Sequence, residues 1–226
     1  METAALLHLL QLASPSLPVG AYSYSQGLEA TIENGTVKNE ESARAWIVGG
    51  LHHVVARFEA PLLWRLLQAF AARDGTAVSD WTQRFVAARD TAEFRAETIQ
   101  MGYSLAKLAS DLRIGDAELL AILQQQEEIP LPTALAYAAV ALDVPHEAAL
   151  LGMLFSWAEN QVLVCVKSVP LGQVAGQRLL LSLRPELQAA AEVAQCLADD
   201  ELSNWSPGLS LLSMRHEVQY SRLYRS

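Results

Sequence analysis

Hydrophobic residues recur at helical intervals along most of the chain. Met101, Leu105, Leu108 and Leu112 follow one another at spacings of four, three and four residues, which places them on one stripe of a helix. Gly102 lies beside this stripe and would let a neighbouring helix approach closely. Short β-branched runs occur only inside longer helical patterns. The pattern therefore predicts an all-α fold.

Prolines and short loops divide this pattern into helices. Four prolines stand where predicted helices begin, as a proline of the first turn should: Pro132, Pro145, Pro185 and Pro207. We predict about ten helices, over residues 2–13, 24–34, 40–72, 78–88, 90–112, 115–126, 132–142, 146–168, 171–198 (interrupted at Pro185) and 207–219. No linker rich in Gly, Ser or Pro divides the chain, so we expect one helical-bundle domain over 1–226, with a tail at 214–226.

The composition fits a protein with a large buried core. Of the 226 residues, 51% are hydrophobic and 18% are charged, and the net charge is −9. So few charges on so apolar a chain suggest that a partner covers part of the surface. The negative charge argues against nucleic acid as a ligand, because binding to phosphates requires a surplus of Lys and Arg.

The longest apolar stretch, 148–166, does not predict a membrane span. Glu159, Asn160 and Gln161 lie near its centre, where a bilayer would strongly disfavour them. No basic segment precedes the first apolar run, so we predict no signal peptide. Cys165 and Cys196 are far apart in sequence and are expected to be packed thiols in a reducing compartment. These features predict a cytoplasmic protein.

None of the catalytic patterns in the sequence is complete. The zinc-protease pattern begins at His146 and at His216, but Leu150 and Tyr220 occupy the second ligand position. The run 199–201, Asp-Asp-Glu, is similar to the magnesium-binding cluster of helical prenyl-chain enzymes, although a further carboxylate is missing. We therefore predict that the chain is not an enzyme. A magnesium-dependent helical prenyl-chain enzyme remains an alternative hypothesis.

One connection is unusual for a helical protein. Residues 14–29 contain two prolines, two glycines and two tyrosines, and the prolines exclude a helix. The segment is either an ordered surface loop with its tyrosines packed down or a binding surface. Tyrosines on a stiff loop favour binding because they provide contact area at a small entropic cost.

The second unusual segment is 156–173. Glu159, Asn160 and Gln161 cover most of a helix circumference, so at least one of these polar side chains must face the apolar side. Asn160 and Lys167 share a face, seven residues apart. The segment contains either a hydrogen-bonded network that fixes the helix register or a polar patch that meets a partner.

The third unusual segment is the C-terminus, 213–226, which is basic in an acidic protein. Arg215 and Arg222 would share one helix face, with His216 and Tyr220 beside it. Chain ends are usually poorly ordered, but Arg and Tyr are enriched at binding hot spots. We expect a tail that becomes ordered against a partner.

Together these segments resemble the UreF family of urease accessory proteins, from about residue 6 to the end of the chain. The similarity rests on four groups of residues in the family's order and spacing: 17–20 with 26–29; 101–105; 156–161 with Lys167, Pro170, 171–173 and 176–178; and 215–217 with 219–226.

The resemblance implies an all-α homodimer that acts in maturation of the nickel enzyme urease. Such proteins join the scaffold UreD (also called UreH) to the nickel-carrying GTPase UreG in a complex that docks on apo-urease. The resemblance also implies possible regulation of the GTPase cycle. It further implies that nickel passes through the complex and that this chain binds no cofactor tightly. A generic helical adaptor without a nickel link is the other alternative.

The resemblance also assigns residues to two sides of the molecule. Those expected on the GTPase side are Glu159, Asn160, Lys167, Gln173, Arg215, His216, Tyr220, Arg222 and Arg225. Those expected on the dimer or scaffold side are Tyr22, Ser25, Gln26, Gly27 and Glu29. No residue is assigned to catalysis or to a metal.

Overall fold

The computed structural model of the chain describes residues 1–169 and 171–225, and its described part is all-helical, as predicted. Pro170 and Ser226, which contribute to the resemblance, lie outside the described residues. Within them there is no strand. The helices are α1 Thr3–Leu12, α2 Leu28–Glu33, α3 Glu40–His53, α4 Glu59–Ala71, α5 Gly75–Ala87, α6 Ala92–Asp111, α7 Ala117–Gln124, α8 Leu131–Ala141, α9 His146–Ser168, α10 Gln173–Ser182, α11 Arg184–Cys196 and α12 Pro207–Glu217, with 3-10 turns at Ala21–Ser23 and Val55–Arg57.

Polar side chains fix where several helices begin. Asn39 and Ser42 form a reciprocal capping box at the start of α3. Asp74, Thr91 and Asp116 each accept a hydrogen bond from the backbone N–H three residues further on. These caps satisfy N–H groups that have no partner within their own helix. Residues close in sequence therefore determine where these four helices begin.

The predicted helix over 40–72 is wrong in one respect, because it is two helices joined by the turn Val55–Arg57. Phe58, which follows the turn, has a φ of −139° and leaves helical geometry. Its ring packs in a separate apolar cluster with Leu62 and Phe85. Apolar residues continue through the turn, so the hydrophobic pattern alone could not reveal the break.

Two other boundaries follow from backbone geometry. The predicted helix 24–34 begins only at Leu28, because Gly27 has a φ of 80° and cannot continue a right-handed helix. The predicted interruption of the helix over 171–198 near Pro185 is confirmed, since α10 and α11 meet there. The later start of α2 matters because it lengthens the loop before this helix.

The core is organised around α4 and α9. Helix α4 packs on α5, α8, α9 and α11, and α9 also contacts α1, α2, α3, α10 and α11. Within the described ranges, α9 is the one helix long and apolar enough to cross a membrane, and half of its most apolar window is buried. Its position among the other helices identifies it as a core helix. The large side chains of α4 with no exposed surface are Leu62, Leu63, Leu66, Leu67 and Phe70.

The two cysteines are free but differ in environment. Cys165 lies in α9 and is buried, and burial raises the pKa of its thiol to about 12. Cys196 is exposed, so the expectation that both thiols are packed is wrong for this residue. Cys196 is the last residue of α11, where the chain leaves the core.

The close approach predicted at Gly102 is confirmed. Helices α6 and α8 cross there, and a methyl group on Gly102 would collide with the carbonyl oxygen of Ile129 and lie 2.7 Å from the backbone nitrogen of Leu131. Gly49 of α3, by contrast, has open space where a methyl group would be. The two glycines form a matched pair for a test of the crossing.

Gly102→Ala is expected to lower the free energy of unfolding by about 3 kcal/mol, because the backbone of α8 must move. Gly49→Ala is expected to raise it by about 0.5–1 kcal/mol, because alanine is the better residue in a helix interior. Urea denaturation followed by circular dichroism measures both. Equal effects of the two substitutions would contradict the tight α6–α8 crossing.

Candidate functional site

The loop at residues 14–27, here called the N-terminal loop, lies on the polar part of α9. The side-chain amide of Asn160 donates to the carbonyl of Tyr24 at 2.9 Å, and that of Gln161 donates to the carbonyl of Ser25 at 3.4 Å. Both amides are buried, so these bonds offset the cost of removing them from water. The polar residues of α9 thus hold the loop against the core.

Tyr22 adds a further hydrogen bond between the N-terminal loop and α9. Its hydroxyl donates to Glu159 at 2.9 Å. Burial, and then the hydrogen bond from Tyr22 to Glu159, raise the pKa of the Tyr22 hydroxyl well above its usual value. Tyr22 therefore remains a neutral donor to a carboxylate at any physiological pH.

Gln26 connects three parts of the molecule. Its side-chain carbonyl accepts from the indole N–H of Trp157 at 2.7 Å, and its amide donates to Glu97 of α6 at 2.6 Å. Gln26 has a left-handed φ of 55°. Because both ends of the side chain are occupied, Gln26 fixes the end of the loop between α6 and α9.

A histidine cluster, formed by Glu29, Glu93 and His216, joins α2, α6 and α12. The imidazole of His216 has no exposed surface. Its Nε2 lies 3.0 Å from a carboxylate oxygen of Glu29, and its Nδ1 lies 3.0 Å from both carboxylate oxygens of Glu93. The two carboxylates are almost as buried as the ring. One histidine therefore links two acidic residues that are far apart in sequence.

The same carboxylates hold the C-terminal segment, residues 218–225. The backbone N–H groups of Leu223 and Tyr224 donate to Glu29 at 2.7 and 3.1 Å. Arg222 donates to Glu93 at 3.2 Å, and the backbone N–H of Arg225 donates to the carbonyl of Ser23 at 2.7 Å. The segment is thus ordered against its own chain.

Tyr224 places the end of this segment beside α9. Its ring is buried, and the ammonium nitrogen of Lys167 lies 6.0 Å from the ring centroid. Burial raises the pKa of the Tyr224 hydroxyl. The C-terminal segment therefore contacts both α2 and the end of α9.

The tail, expected to become ordered against a partner, is ordered here against its own chain by the histidine cluster, and its binding to a partner stays a prediction. The structure brings members of the two predicted groups into contact, since Tyr22 contacts Glu159 and Glu29 contacts His216. The predicted residues that are buried are Ser25, Gly27, Glu29, Asn160 and His216, whereas those that are exposed are Lys167, Gln173, Arg215, Tyr220, Arg222 and Arg225.

Sequence reasoning did not identify Glu93 and Glu97, which complete these networks. Both are single acidic residues in α6, and nothing in the local sequence of Glu93 distinguishes it from a residue on a solvated helix face. Only the packing of α12 against α6 and α2 places Glu93 beside His216. The buried position of Glu97 would have been the one detectable signal, because it lies one turn before the predicted stripe at Met101.

A cleft of about 520 Å³ lies beside the N-terminal loop. Most of its lining is apolar and comes from α1, α3, α4, α6, α8, α9 and the start of α12. Tyr22, Gln26, Glu97 and Asn160 form a polar part of its wall. The hydrogen bonds that hold the loop on α9 therefore also shape this cleft.

Asp199, which the hypothesis of a prenyl-chain enzyme assigns to magnesium, forms an ion pair with Arg65. Arg65 donates to the carboxylate of Asp199 at 2.6 Å and to the carbonyl of Leu197 at 2.6 Å. In residues 1–169 and 171–225, no three His, Cys, Asp or Glu side chains form a group suited to a metal ion. Asp199 therefore stabilises the chain between α11 and α12.

Comparison with known proteins gives consistent matches along the whole chain. The UreF family model matches residues 37–184. The chain is 80% identical to the urease accessory protein UreF of Janthinobacterium sp. (strain Marseille), with both proteins covered completely. It is 66% identical to the UreF of Nitrosospira multiformis over 100% of the chain and 99% of that relative. It is 52% identical to the UreF of an Azoarcus species over 98% of the chain and 95% of that relative. These relatives also cover the C-terminal segment, which the family model does not reach.

His216→Ala is expected to lower the free energy of unfolding by about 3 kcal/mol, because it leaves two buried carboxylates without the ring. The neighbouring residue Arg215 is exposed, so Arg215→Ala is expected to change stability by less than about 0.5 kcal/mol. Chemical denaturation of both variants measures the difference. A His216→Ala variant as stable as Arg215→Ala would show that the cluster contributes nothing.

Proposed function

Because the chain belongs to the UreF family of urease accessory proteins, we propose that it acts in urease maturation as a non-catalytic adaptor. In this proposal the whole chain works as one domain that joins a UreD (UreH) scaffold to the nickel-carrying GTPase UreG. The resulting complex docks on apo-urease in the cytoplasm. Nickel passes through the complex as cargo, and this chain does not hold it as a resident cofactor.

The C-terminal segment is the observation that carries the proposal. Val218, Tyr220 and Leu223 are 84%, 105% and 75% exposed, although Glu29 accepts from the backbone N–H of Leu223 and Glu93 accepts from the side chain of Arg222. Large apolar side chains on a fixed backbone lose little entropy on binding, and clustered apolar surface favours a protein partner. Arg215 and Arg225 are exposed near them in the sequence. Their positive charge suits acidic residues at the rim of a partner's surface.

Buried and exposed residues have different roles in this adaptor. Ser25, Gly27, Glu29, Asn160 and His216 shape the surface from within, since they are buried. Gln173, Arg215, Tyr220 and Arg225 are exposed and are the residues proposed to contact the GTPase. The outer face of the N-terminal loop is proposed to serve the homodimer or the scaffold.

The proposal also covers regulation. An adaptor that binds UreG could change the rate of its GTP hydrolysis through contact alone, without any catalytic group of its own. The rival without a nickel link, a generic helical adaptor, would bind partners but would have no effect on urease activation. The two are separated by reconstitution of apo-urease with nickel, UreD, UreG and GTP, with and without this chain.

Tyr220→Ala combined with Leu223→Ala is expected to weaken capture of UreG by at least about 30-fold, because two anchoring side chains are lost. Binding is measured by biolayer interferometry with purified partners. Urease activity after reconstitution is expected to fall together with this binding.

The control is Tyr103→Ala combined with Leu112→Ala, which removes the same residue types from exposed positions in α6 and directly after it. Both double variants should retain the helical circular dichroism of the parent. Undiminished binding by the C-terminal variant, or an equal loss in the control, would contradict the role of the C-terminal segment.

A further inference from the structure

Helix α12 packs with polar residues on its inner side. Its two buried residues are Ser213 and His216, and neither has exposed surface. The hydroxyl oxygen of Ser213 lies 2.9 Å from that of Thr91, and His216 lies between Glu29 and Glu93. Hydrogen bonds are directional, and buried polar groups need their partners. These contacts therefore determine how α12 is rotated about its own axis.

This rotation leaves a row of apolar side chains on the outside of the molecule. Leu211, Met214 and Val218 are 55%, 48% and 84% exposed, and Val218 directly follows the helix. Their spacings of three and four residues place them on one side of α12, opposite to Ser213 and His216, and they are here called the α12 stripe. Single apolar residues are normal on a protein surface, but a continuous stripe of them indicates a contact surface.

We propose that the α12 stripe binds an amphipathic helix of the GTPase UreG, whose apolar face covers Leu211, Met214 and Val218. This inference rests on the proposed function, because it extends the surface assigned there to the GTPase. Val218 belongs both to the stripe and to the C-terminal segment, so the two surfaces are continuous. A partner that contacts Tyr220 and Leu223 therefore reaches α12 at Val218.

The spacing and charge of this surface define the partner. Helices pack by fitting rows of side chains three and four residues apart into one another, and the α12 stripe has this spacing over a length of about 10 Å. A second helix with the same apolar period can therefore interdigitate with it. Arg215 is exposed next to Met214, and Arg222 and Arg225 are exposed further along the chain. The partner helix is therefore expected to carry Asp or Glu beside its apolar face.

Photo-crosslinking tests both the partner and its shape. The photoreactive residue p-benzoylphenylalanine replaces Leu211, Met214 or Val218, one at a time, and each full-length chain is irradiated with purified UreG. All three positions are expected to crosslink to UreG. Mass spectrometry is expected to place the three crosslinked sites in one UreG helix, three or four residues apart and next to acidic residues. The same probe at Tyr103, which is exposed on α6, is the control and is expected to give no crosslink to UreG.

Substitutions measure what the stripe and its neighbouring charge contribute to affinity. Leu211→Ala combined with Met214→Ala removes apolar surface, and alanine preserves the helix. This double variant is expected to bind UreG at least about tenfold more weakly by biolayer interferometry. Arg215→Glu is expected to weaken binding by a similar factor, and less so at high salt, because it repels the acidic residues of the partner. Arg215→Lys keeps the positive charge and is expected to bind as the parent does.

The inference fails if the stripe positions crosslink to a second copy of this chain, or to UreG no more than Tyr103 does. It also fails if the crosslinked UreG sites do not share a helix, or if the Leu211 and Met214 double variant binds UreG as tightly as the parent. In each of these cases the parent chain still binds UreG, so the proposed function stands. A parent chain that does not bind UreG would overturn the proposed function and this inference together.

Discussion

Glu29 is the acceptor on which the last part of the chain depends. Its carboxylate accepts from His216 and from the backbone N–H groups of Leu223 and Tyr224, while α2 places it under the N-terminal loop. A buried carboxylate is costly unless donors surround it, and the donors to Glu29 within residues 1–169 and 171–225 come from α12 and the C-terminal segment. The same interaction therefore compensates a buried charge and orders a terminus that would otherwise be frayed.

The N-terminal loop depends on a second set of buried polar groups. Asn160 and Gln161 interrupt an otherwise apolar α9, but their side-chain N–H groups donate to loop carbonyls. Gln26 then ties the loop to Trp157 and Glu97. Helix α9, the loop and the C-terminal segment form one assembly, and this assembly positions the exposed Arg and Tyr side chains of the proposed partner surface.

Sequence periodicity predicted the helices and the close approach at Gly102, because both depend on local spacing. It did not predict the turn before α4, since apolar residues continue through Val55 and Phe58. Sequence periodicity also could not predict the histidine cluster. His216 and Glu93 are separated by 123 residues, and only tertiary packing brings them together. An arginine-rich terminus predicts binding, but sequence cannot show that the chain itself provides the first binding surface.

Backbone amide hydrogen exchange of the isolated chain, resolved by nuclear magnetic resonance, tests most directly whether Glu29 orders the C-terminal segment. The amides of Leu223 and Tyr224 are predicted to exchange much more slowly than that of the neighbouring exposed residue Tyr220, and to lose this protection in Glu29→Ala. Exchange of all three amides at the rate of an unstructured peptide in the parent chain would contradict the account.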